Sequence, residues 1–258
     1  MTSHRAVAGV RLEIEERGAG RPLLFLHPGE GLRAADGWID PLAGAFRVTA
    51  PHHPGFGGSD LPDWFGTVED LAYLYLELLR DMGVDGAVVA GSSFGGWIAA
   101  EMAVRDTRRI AGLILADPLG IKVRGRTDRD IADMHSIPRA EYLRLAWADP
   151  AKGETDFAKL PDTELAAIAR GREAFALFGW KPYMHNPRLR PWLRRIDVPT
   201  LLLWGESDGI VARSYVEAFQ AGIPGTALRT VPGAGHYPHL EQPAAFAAIA
   251  AEFAASLR

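Results

Sequence analysis

The chain has 258 residues, of which 48% are apolar and 23% are charged, and its formal net charge is −4. This length and composition are typical of one globular domain that can bury a substantial core. The small net charge and the absence of long runs of like charge argue against a nucleic-acid partner. The chain contains no cysteine, which excludes disulfides, thiolate metal sites and a cysteine nucleophile.

Charged residues interrupt the first twenty positions of the chain, at Arg11, Glu13, Glu15, Glu16 and Arg17. We therefore expect no signal peptide. No apolar run approaches the ~20 residues that a membrane-spanning helix needs. These patterns predict a cytoplasmic protein that acts on a small molecule, without a membrane or nucleic-acid partner, and they leave a homodimer open.

The first half of the chain predicts strands that alternate with helices. Residues 10–14 alternate apolar and charged side chains and predict a strand that pairs with 5–8 through Gly9. Apolar side chains spaced three and four residues apart predict a helix over 68–82, and Gly83 follows where helices commonly end. Continuous apolar runs predict buried strands at 23–27, 46–50, 87–90 and 113–116, and a second helix is predicted over 97–104.

The pattern changes after residue 119. Between 120 and 196 we find no convincing buried strand, and helices are predicted at 130–134, 139–147 and 163–178. The alternation then returns, with strands at 200–204 and 227–231 and helices at 213–221 and 243–257. The sequence therefore predicts an α/β core, formed by 1–119 and 197–258, with a mostly parallel sheet covered by helices on both faces. Residues 120–196 are predicted to be a helical lid inserted into this core.

A serine flanked by glycines lies between the strand predicted at 87–90 and the helix predicted at 97–104. The sequence Gly91-Ser92-Ser93-Phe94-Gly95 matches the pattern G-x-S-x-G. A nucleophile on a sharp strand-to-helix turn has strained dihedral angles and needs small neighbours so that the turn can close. The N–H groups of the following helix favour a developing negative charge. We therefore predict that Ser93 is the nucleophile, since Ser92 would point elsewhere.

A serine nucleophile needs a base, and the base needs an acid that orients it. His236 lies in a glycine-rich loop after the last predicted strand, where open α/β sheets place their chemistry. Asp208 follows the strand predicted at 200–204 and is the preferred acid, with Glu206 and Asp117 as alternatives. The order Ser93, Asp208, His236 is the one expected of this kind of hydrolase.

The loop after the strand at 23–27 is predicted to complete an oxyanion hole. Two N–H donors about 3 Å from the developing oxyanion are needed. We expect one from Phe94, the residue after the nucleophile, and the other from Gly29, with Glu30 as the second choice. Pro28 has no N–H group and cannot contribute. This chemistry requires no cofactor, and the eight histidines form no clear set of metal ligands.

Together these segments resemble the α/β-hydrolase family over nearly the whole chain. The resemblance implies a mostly parallel eight-stranded sheet with a lid inserted after the sixth strand, in agreement with the break near Gly120. The chain departs from the family at Pro28, where relatives commonly have glycine, and at His52, where they commonly have aspartate. The segments that carry the resemblance are HPGEG at 27–31, PGFGGS at 54–59, GSSFGG at 91–96, WGESD at 204–208 and GAGHYPHLEQP at 233–243.

Within that family, the sequence Asn186-Pro187-Arg188-Leu189 and the single lid resemble hydrolases of meta-cleavage products, which split carbon–carbon bonds in ring-fission dienoates. In those enzymes an arginine of the lid region helps to hold the substrate carboxylate, which suggests Arg188 or Arg190 here. The same motifs are similar to those of simple carboxylesterases. A serine nucleophile argues against haloalkane dehalogenase and epoxide hydrolase chemistry.

Three functions follow from this reasoning. The first is hydrolysis of a carboxylic ester of a small apolar or aromatic substrate through an acyl-enzyme. The second is carbon–carbon bond hydrolysis of a meta-cleavage-type dienoate, and the third is a weakly catalytic scaffold that binds a ligand. Candidate substrate contacts lie in the loops beside the predicted triad and in the predicted lid: His27, Glu30, Trp147, Phe178, Trp180, Arg188, Arg190 and Tyr237.

Overall fold

The computed structural model describes residues 2–33 and 36–257, and within these ranges the strands form one eight-stranded sheet. The spatial order is β1-β2-β4-β3-β5-β6-β7-β8, with β1–β2 and β2–β4 antiparallel and the other pairs parallel. The predicted mostly parallel sheet is therefore confirmed. Its strands are β1 (Thr2–Val7), β2 (Val10–Arg17), β3 (Arg21–Leu26), β4 (Phe46–Pro51), β5 (Ala87–Ser92), β6 (Ile110–Ala116), β7 (Thr200–Gly205) and β8 (Ala227–Val231).

The helices lie mostly between strands, as the predicted alternation requires. Three of them, with short 3₁₀ turns, occupy the segment between β6 and β7, which we call the helical insertion (residues 117–199). The helices are α1 (Ile39–Ala43), α2 (Val68–Asp81), α3 (Phe94–Arg105), α4 (Arg139–Ala146), α5 (Asp162–Gly179), α6 (Leu189–Trp192), α7 (Arg213–Gly222), α8 (Pro238–Glu241) and α9 (Pro243–Ala255).

Two apolar layers cover the sheet, one on each face. Successive side chains of a strand point to opposite faces, so Leu24 joins one layer while Leu23 and Phe25 join the other. The first layer contains buried residues of α2, α3 and α7, and the second contains those of α1 and α9. Burial on both faces explains why the central strands are continuous apolar runs in the sequence.

Local signals fix the ends of α2. The side chain of Thr67 accepts a hydrogen bond from the N–H of Asp70, and the Asp70 carboxylate accepts one from the N–H of Thr67, which forms a capping box. Gly83, after the last turn, has a φ of 62°, a left-handed conformation that glycine adopts easily. The helix predicted over 68–82 therefore agrees with the structure to within one residue.

The helix predicted at 130–134 is wrong. The carboxylate of Asp130 accepts hydrogen bonds from the backbone N–H groups of Val123 and Arg124, at 3.0 and 2.9 Å, and it forms an ion pair with Lys122. Ile131 makes an isolated β-bridge with Val211. These tertiary contacts hold the segment in an extended loop, and they outweigh its weak helical pattern.

In the ranges that the structure describes, no helix is both long enough and apolar enough to cross a lipid bilayer. Even α5, which has 18 residues, carries acidic side chains in its first turn and exposed charges along its length. This agrees with the apolar runs of the sequence, which are all too short for a membrane span.

We predict that Tyr215→Phe lowers the free energy of unfolding by about 1–3 kcal/mol. The buried Tyr215 hydroxyl accepts a hydrogen bond from the Ile121 N–H and donates one to the Ile121 carbonyl, both at 2.9 Å. Phenylalanine would leave both backbone groups without a partner, at the point where the helical insertion begins. Denaturant unfolding of the variant measures the loss. Tyr73→Phe is the control, because Tyr73 is exposed, and an equal loss in both variants would contradict the prediction.

Candidate active site

The predicted site residues follow the carboxyl ends of neighbouring strands. Because these strands are parallel, their ends meet at one edge of the sheet. The loop with Gly29 follows β3, Ser93 follows β5, Asp117 follows β6, Asp208 follows β7 and His236 follows β8. The sheet therefore brings together residues that are far apart in sequence, since Gly29 and His236 are separated by 207 positions.

Ser93 lies on a strained turn between β5 and α3. Its φ is 53° and its ψ is −113°, an unusual combination for a residue with a side chain. The turn is held by a hydrogen bond of 2.8 Å from the Ser93 N–H to the Ala116 carbonyl. A Cβ atom at Gly91 would overlap the Gly95 carbonyl, and one at Gly95 would overlap the Leu26 carbonyl. The two glycines of the motif are therefore needed because backbone passes where their side chains would be.

Ser93, His236 and Asp208 form a hydrogen-bonded chain. The Nδ1–H of His236 donates to Oδ2 of Asp208 at 2.8 Å, and the hydroxyl of Ser93 donates to Nε2 of His236 at 2.7 Å. A carboxylate can only accept, so the neutral imidazole carries its proton on Nδ1 and offers Nε2 as the base. All three residues are buried.

Asp208, rather than Glu206, faces the imidazole. Oδ1 of Asp208 accepts hydrogen bonds from the N–H groups of Ile210 and Val211, at 2.7 and 2.9 Å, whereas Glu206 is exposed. Asp117 lies beside Asp208. Burial, followed by the nearby charge of Asp208, raises the pKa of Asp117 well above its usual value.

The loop that carries His236 is tied to the helical insertion. The His236 N–H donates to the Ala146 carbonyl, at the end of α4, at 2.7 Å. The carboxylate of Glu241 accepts hydrogen bonds from the N–H groups of Gly235 (2.6 Å), Ala148 (2.9 Å) and Asp149 (3.2 Å). Burial raises the pKa of Glu241, and these backbone donors oppose the rise. The imidazole is thus positioned by contacts from the insertion as well as from the sheet.

Of the two predicted oxyanion donors, Phe94 directly follows Ser93 in the chain and Gly29 lines the same cavity. Phe94 is the first residue of α3, where helix N–H groups lack intrahelical partners and the helix dipole is positive. Gly29 lines the same cavity as Ser93, and in the described parts of the chain its N–H has no acceptor. A Cβ atom at Gly29 would overlap the ring of Phe175, so glycine is required where the loop meets α5.

Two buried histidines, His27 and His53, form hydrogen bonds with the backbone at the start of the Gly29 loop. His27 Nε2 accepts a hydrogen bond from the His53 N–H at 2.9 Å, so its Nδ1–H donates to the Pro28 carbonyl at 2.7 Å. His53 donates from Nε2 to the His27 carbonyl at 2.9 Å and accepts from the Tyr75 hydroxyl at 2.5 Å. The two rings are in contact, with centroids 3.7 Å apart and planes tilted by 31°. Burial lowers the pKa of both, that of His53 to about 3, so both are neutral.

A cavity of about 250 Å³ lies over Ser93. Of the predicted substrate contacts, Glu30 and Tyr237 line it. They are linked through Tyr142, whose hydroxyl donates to Glu30 at 2.8 Å and lies 2.6 Å from the Tyr237 hydroxyl. Phe175, an aromatic residue of the predicted lid, also lines the cavity. The sequence analysis missed the other lining residues of the helical insertion: Met134, His135, Ile137, Arg139, Tyr142, Phe157 and Arg172.

The other predicted substrate contacts lie outside this cavity. His27 is buried and paired with His53, and Trp147 packs against Tyr237. Phe178 stacks on Phe94 and does not line the cavity. Trp180 is 59% exposed.

The two predicted arginines are also elsewhere. Arg188 lines a separate groove between α2, α3 and α6, and Arg190 donates a hydrogen bond to the Lys122 carbonyl. The two arginines that do line the cavity, Arg139 and Arg172, come from α4 and α5. Neither helix carries a motif that marks the face turned toward Ser93, so sequence could not select them.

Comparison with known proteins agrees with this fold. The alpha/beta hydrolase family matches residues 23–249, which is most of the chain. The protein therefore belongs to the alpha/beta hydrolase family, and these similarities class it as a hydrolase.

Individual relatives differ in their named activities. The dihydrolipoyllysine-residue acetyltransferase component of the acetoin cleaving system of Cupriavidus necator is 28% identical over 94% of this chain, which spans 66% of that protein, just under two thirds. The 2-hydroxymuconate semialdehyde hydrolase of Pseudomonas sp. strain CF600 is 28% identical, over 96% of this chain and 92% of the relative. A thermophilic esterase from Thermogutta terrifontis has a similar structure, with a TM-score of 0.75, 24% identity, and coverage of 98% and 97% of the two chains.

We predict that the protein loses stability as the pH falls below about 6.5. In the folded state His27, His53 and His239 have pKa values below 6.5, about 3 for His53 and His239, so the unfolded chain binds more protons in this window. The stabilisation is complete above pH 6.5 and decreases on acidification, by ~1.4 kcal/mol per pH unit for each such histidine. Denaturant unfolding at several pH values between 8 and 4.5 measures this slope.

His53→Gln provides the matched variant for this prediction, and the exposed His4→Gln is its control. The His53 variant should be less stable at pH 8, but its stability should depend less steeply on pH than that of the wild type. The His4 variant should keep the wild-type slope. If the slope is the same in all three proteins, buried neutral histidines are not the cause of the acid sensitivity.

Proposed function

We propose that this protein hydrolyses carboxylic esters of small molecules, with Ser93, His236 and Asp208 as its catalytic triad. The observation that carries the proposal is the buried hydrogen-bonded chain from the Ser93 hydroxyl to the Asp208 carboxylate, with distances of 2.7 and 2.8 Å. The strained turn at Ser93 supports it, because that turn presents the hydroxyl to the cavity.

The mechanism follows from the proton positions. Ser93 Oγ attacks the ester carbonyl carbon and transfers its proton to His236 Nε2, while Asp208 stabilises the imidazolium. The N–H groups of Gly29 and Phe94 stabilise the oxyanion of the tetrahedral intermediate. The intermediate then expels the alcohol, which takes the proton from His236 and leaves an acyl group on Ser93. A water molecule, activated by His236, releases the acid and restores the serine.

The cavity favours a small acyl group. Its volume of about 250 Å³ lies below the roughly 300–1,000 Å³ of pockets for drug-sized ligands. A second cavity of about 410 Å³ shares Gly29, Glu30, Arg139, Phe157 and Arg172 with the first and opens between α5 and the Gly29 loop. A larger alcohol portion would extend into this second space. In this proposal the insertion, predicted at 120–196, acts as a lid over Ser93.

We predict that the protein cleaves a short-chain p-nitrophenyl ester and that Ser93→Ala lowers kcat by roughly 10⁶-fold. Asp208→Asn should lower kcat by about 10⁴-fold, because the imidazole then adopts the wrong tautomer. Release of p-nitrophenol measures both losses. Ser92→Ala is the matched control, since Ser92 is the adjacent buried serine and its hydroxyl has no partner within the described residues.

The Ser92 variant should keep most of the wild-type activity. Loss of activity in Ser92→Ala with retention in Ser93→Ala would contradict the assignment of the nucleophile. A wild-type protein that binds ligands in the cavity but cleaves none of a broad ester panel would favour the weakly catalytic scaffold instead.

A second candidate, carbon–carbon bond hydrolysis of a dienoate, is supported by two arginines at the cavity. The guanidinium groups of Arg139 and Arg172 lie 5.1 and 5.5 Å from the ring centroid of Phe157. The Nε of Arg139 is buried without a hydrogen-bond partner, although it lies 3.8 Å from a carboxylate oxygen of Glu154, and no described carboxylate pairs with Arg172. These groups could bind the carboxylate of a dienoate, in place of Arg188 and Arg190.

This candidate predicts turnover of a coloured dienoate, with a KM that rises about 10- to 100-fold in Arg172→Ala, because a charge-assisted hydrogen bond contributes about 1.5–3 kcal/mol. Loss of the dienoate absorbance measures the rate. Arg188→Ala is the control and should leave KM unchanged. Efficient ester cleavage without dienoate turnover would exclude this second function.

A further inference from the structure

Asp117 is a buried acid that the proposed mechanism does not use. It directly follows β6, with a φ of 46°, and its N–H donates to the Leu203 carbonyl at 2.9 Å. Its carboxyl group accepts a hydrogen bond from the Gly205 N–H at 3.0 Å. The side chain is fully buried. A carboxyl group held this firmly in a dry site needs a physical explanation, because an unpaired buried charge is costly.

The carboxyl group of Asp117 lies beside that of Asp208, with one oxygen of each within 4.8 Å of the other. An oxygen of each lies within 4.8 Å of a ring nitrogen of His236. Two ionised carboxylates this close in a buried site repel each other, and neither can donate a hydrogen bond to the other. One of the pair must therefore carry a proton, and its O–H group then donates to the other.

The hydrogen bonds decide which of the two is neutral. Asp208 receives three N–H donors, from Ile210, Val211 and the ring of His236. Among the described residues, only Gly205 donates an N–H hydrogen bond to Asp117. Donors to a carboxylate favour its charged form, so the negative charge resides on Asp208 and the proton on Asp117.

The surrounding charges agree with this assignment. Asp208 on the loop after β7, Glu241 on α8 and His236 on the loop after β8 are the titratable groups around Asp117. Within the described residues, neither Asp117 nor Asp208 forms an ion pair with a lysine or arginine. An ionised Asp117 would add another buried negative charge with no cation of its own.

We propose that Asp117 is a neutral carboxylic acid that donates a hydrogen bond to Asp208 and thereby positions the acid of the triad. This inference rests on the proposed function, in which Asp208 orients His236. The Asp117 O–H group adds a side-chain donor to the backbone donors that hold Asp208. It limits the rotation of the Asp208 carboxylate and keeps Oδ2 directed at Nδ1 of His236.

Two variants of Asp117 separate the parts of this proposal. Asp117→Asn keeps the shape and a hydrogen-bond donor toward Asp208, and its side-chain oxygen can still accept from the Gly205 N–H. Asp117→Leu keeps the approximate volume but removes the donor and the acceptor. The measurements are the proton NMR resonance of the His236 Nδ1–H in the substrate-free protein and the pH profile of kcat/KM on a p-nitrophenyl ester.

We expect Asp117→Asn to resemble the wild type in both measurements, because a neutral donor replaces a neutral donor. Asp117→Leu should lower kcat by roughly 10- to 100-fold, with a smaller change in KM, because Asp208 loses a charge-assisted hydrogen bond. The resonance of its His236 Nδ1–H should shift. The lower pH midpoint of kcat/KM should move to higher pH, because an Asp208 carboxylate with one hydrogen-bond donor fewer stabilises the protonated imidazole more strongly. Wild-type behaviour of Asp117→Asn beside a defect in Asp117→Leu would show that the hydrogen-bond donor matters, and not packing alone.

The opposite charge state gives a different result. If Asp117 is ionised, Asp117→Asn removes a negative charge near the imidazole, and the lower pH midpoint moves to lower pH by about 1–3 units. That shift would overturn the proposal, as would an unchanged resonance and rate in Asp117→Leu. If the leucine variant does not fold, the asparagine variant alone decides the charge state. If the wild type cleaves no ester, the proposed function fails, whereas the resonance still tests the role of Asp117.

Discussion

The turn at Ser93 is the constraint on which the rest of the site depends. With a φ of 53°, Ser93 occupies a backbone conformation that costs free energy unless its surroundings enforce it. The surroundings do so because the backbones of β3, β5 and α3 meet where side chains at Gly91 and Gly95 would otherwise lie. The same close approach brings the start of α3 against the end of β3, which leads into the loop of Gly29. The positions of the Ser93 hydroxyl and of the proposed oxyanion donors therefore depend on one packing arrangement.

A second constraint acts on the acidic side of the site. The protein places Asp117 and Asp208 beside the His236 imidazole and Glu241 against the loop that carries it, and satisfies all three chiefly with backbone N–H groups instead of lysine or arginine. Backbone donors belong to loops that the sheet already fixes, so they need no long side chain to be immobilised. A nearby cation would also compete with the imidazolium for the charge of Asp208. This arrangement leaves His236 as the main partner of that charge.

Sequence predicted the sheet and the triad geometry because both depend on local patterns. Buried parallel strands are continuous apolar runs, and the residues after Ser92, Gly205 and Val231 must lie at one edge of such a sheet. The cavity walls depend instead on which faces of α4 and α5 turn inward. The inward face of α5 is set by packing against Phe56 and Phe94. The failed helix at 130–134 has the same origin, since distant contacts of Asp130 and Ile131 determine its conformation.

The two helices that cover the cavity differ in how they are attached. The C-terminal end of α4 accepts backbone hydrogen bonds from the two loops that carry the proposed acid and base, from Gly209 to Leu145 at 2.8 Å and from His236 to Ala146 at 2.7 Å. A displacement of α4 would therefore move Asp208 and His236 together. Helix α5 touches the core mainly through side chains such as Phe175 against Gly29. Side-chain contacts can be repacked without moving the triad. We therefore expect substitutions in α5 to change substrate preference more readily than substitutions in α4.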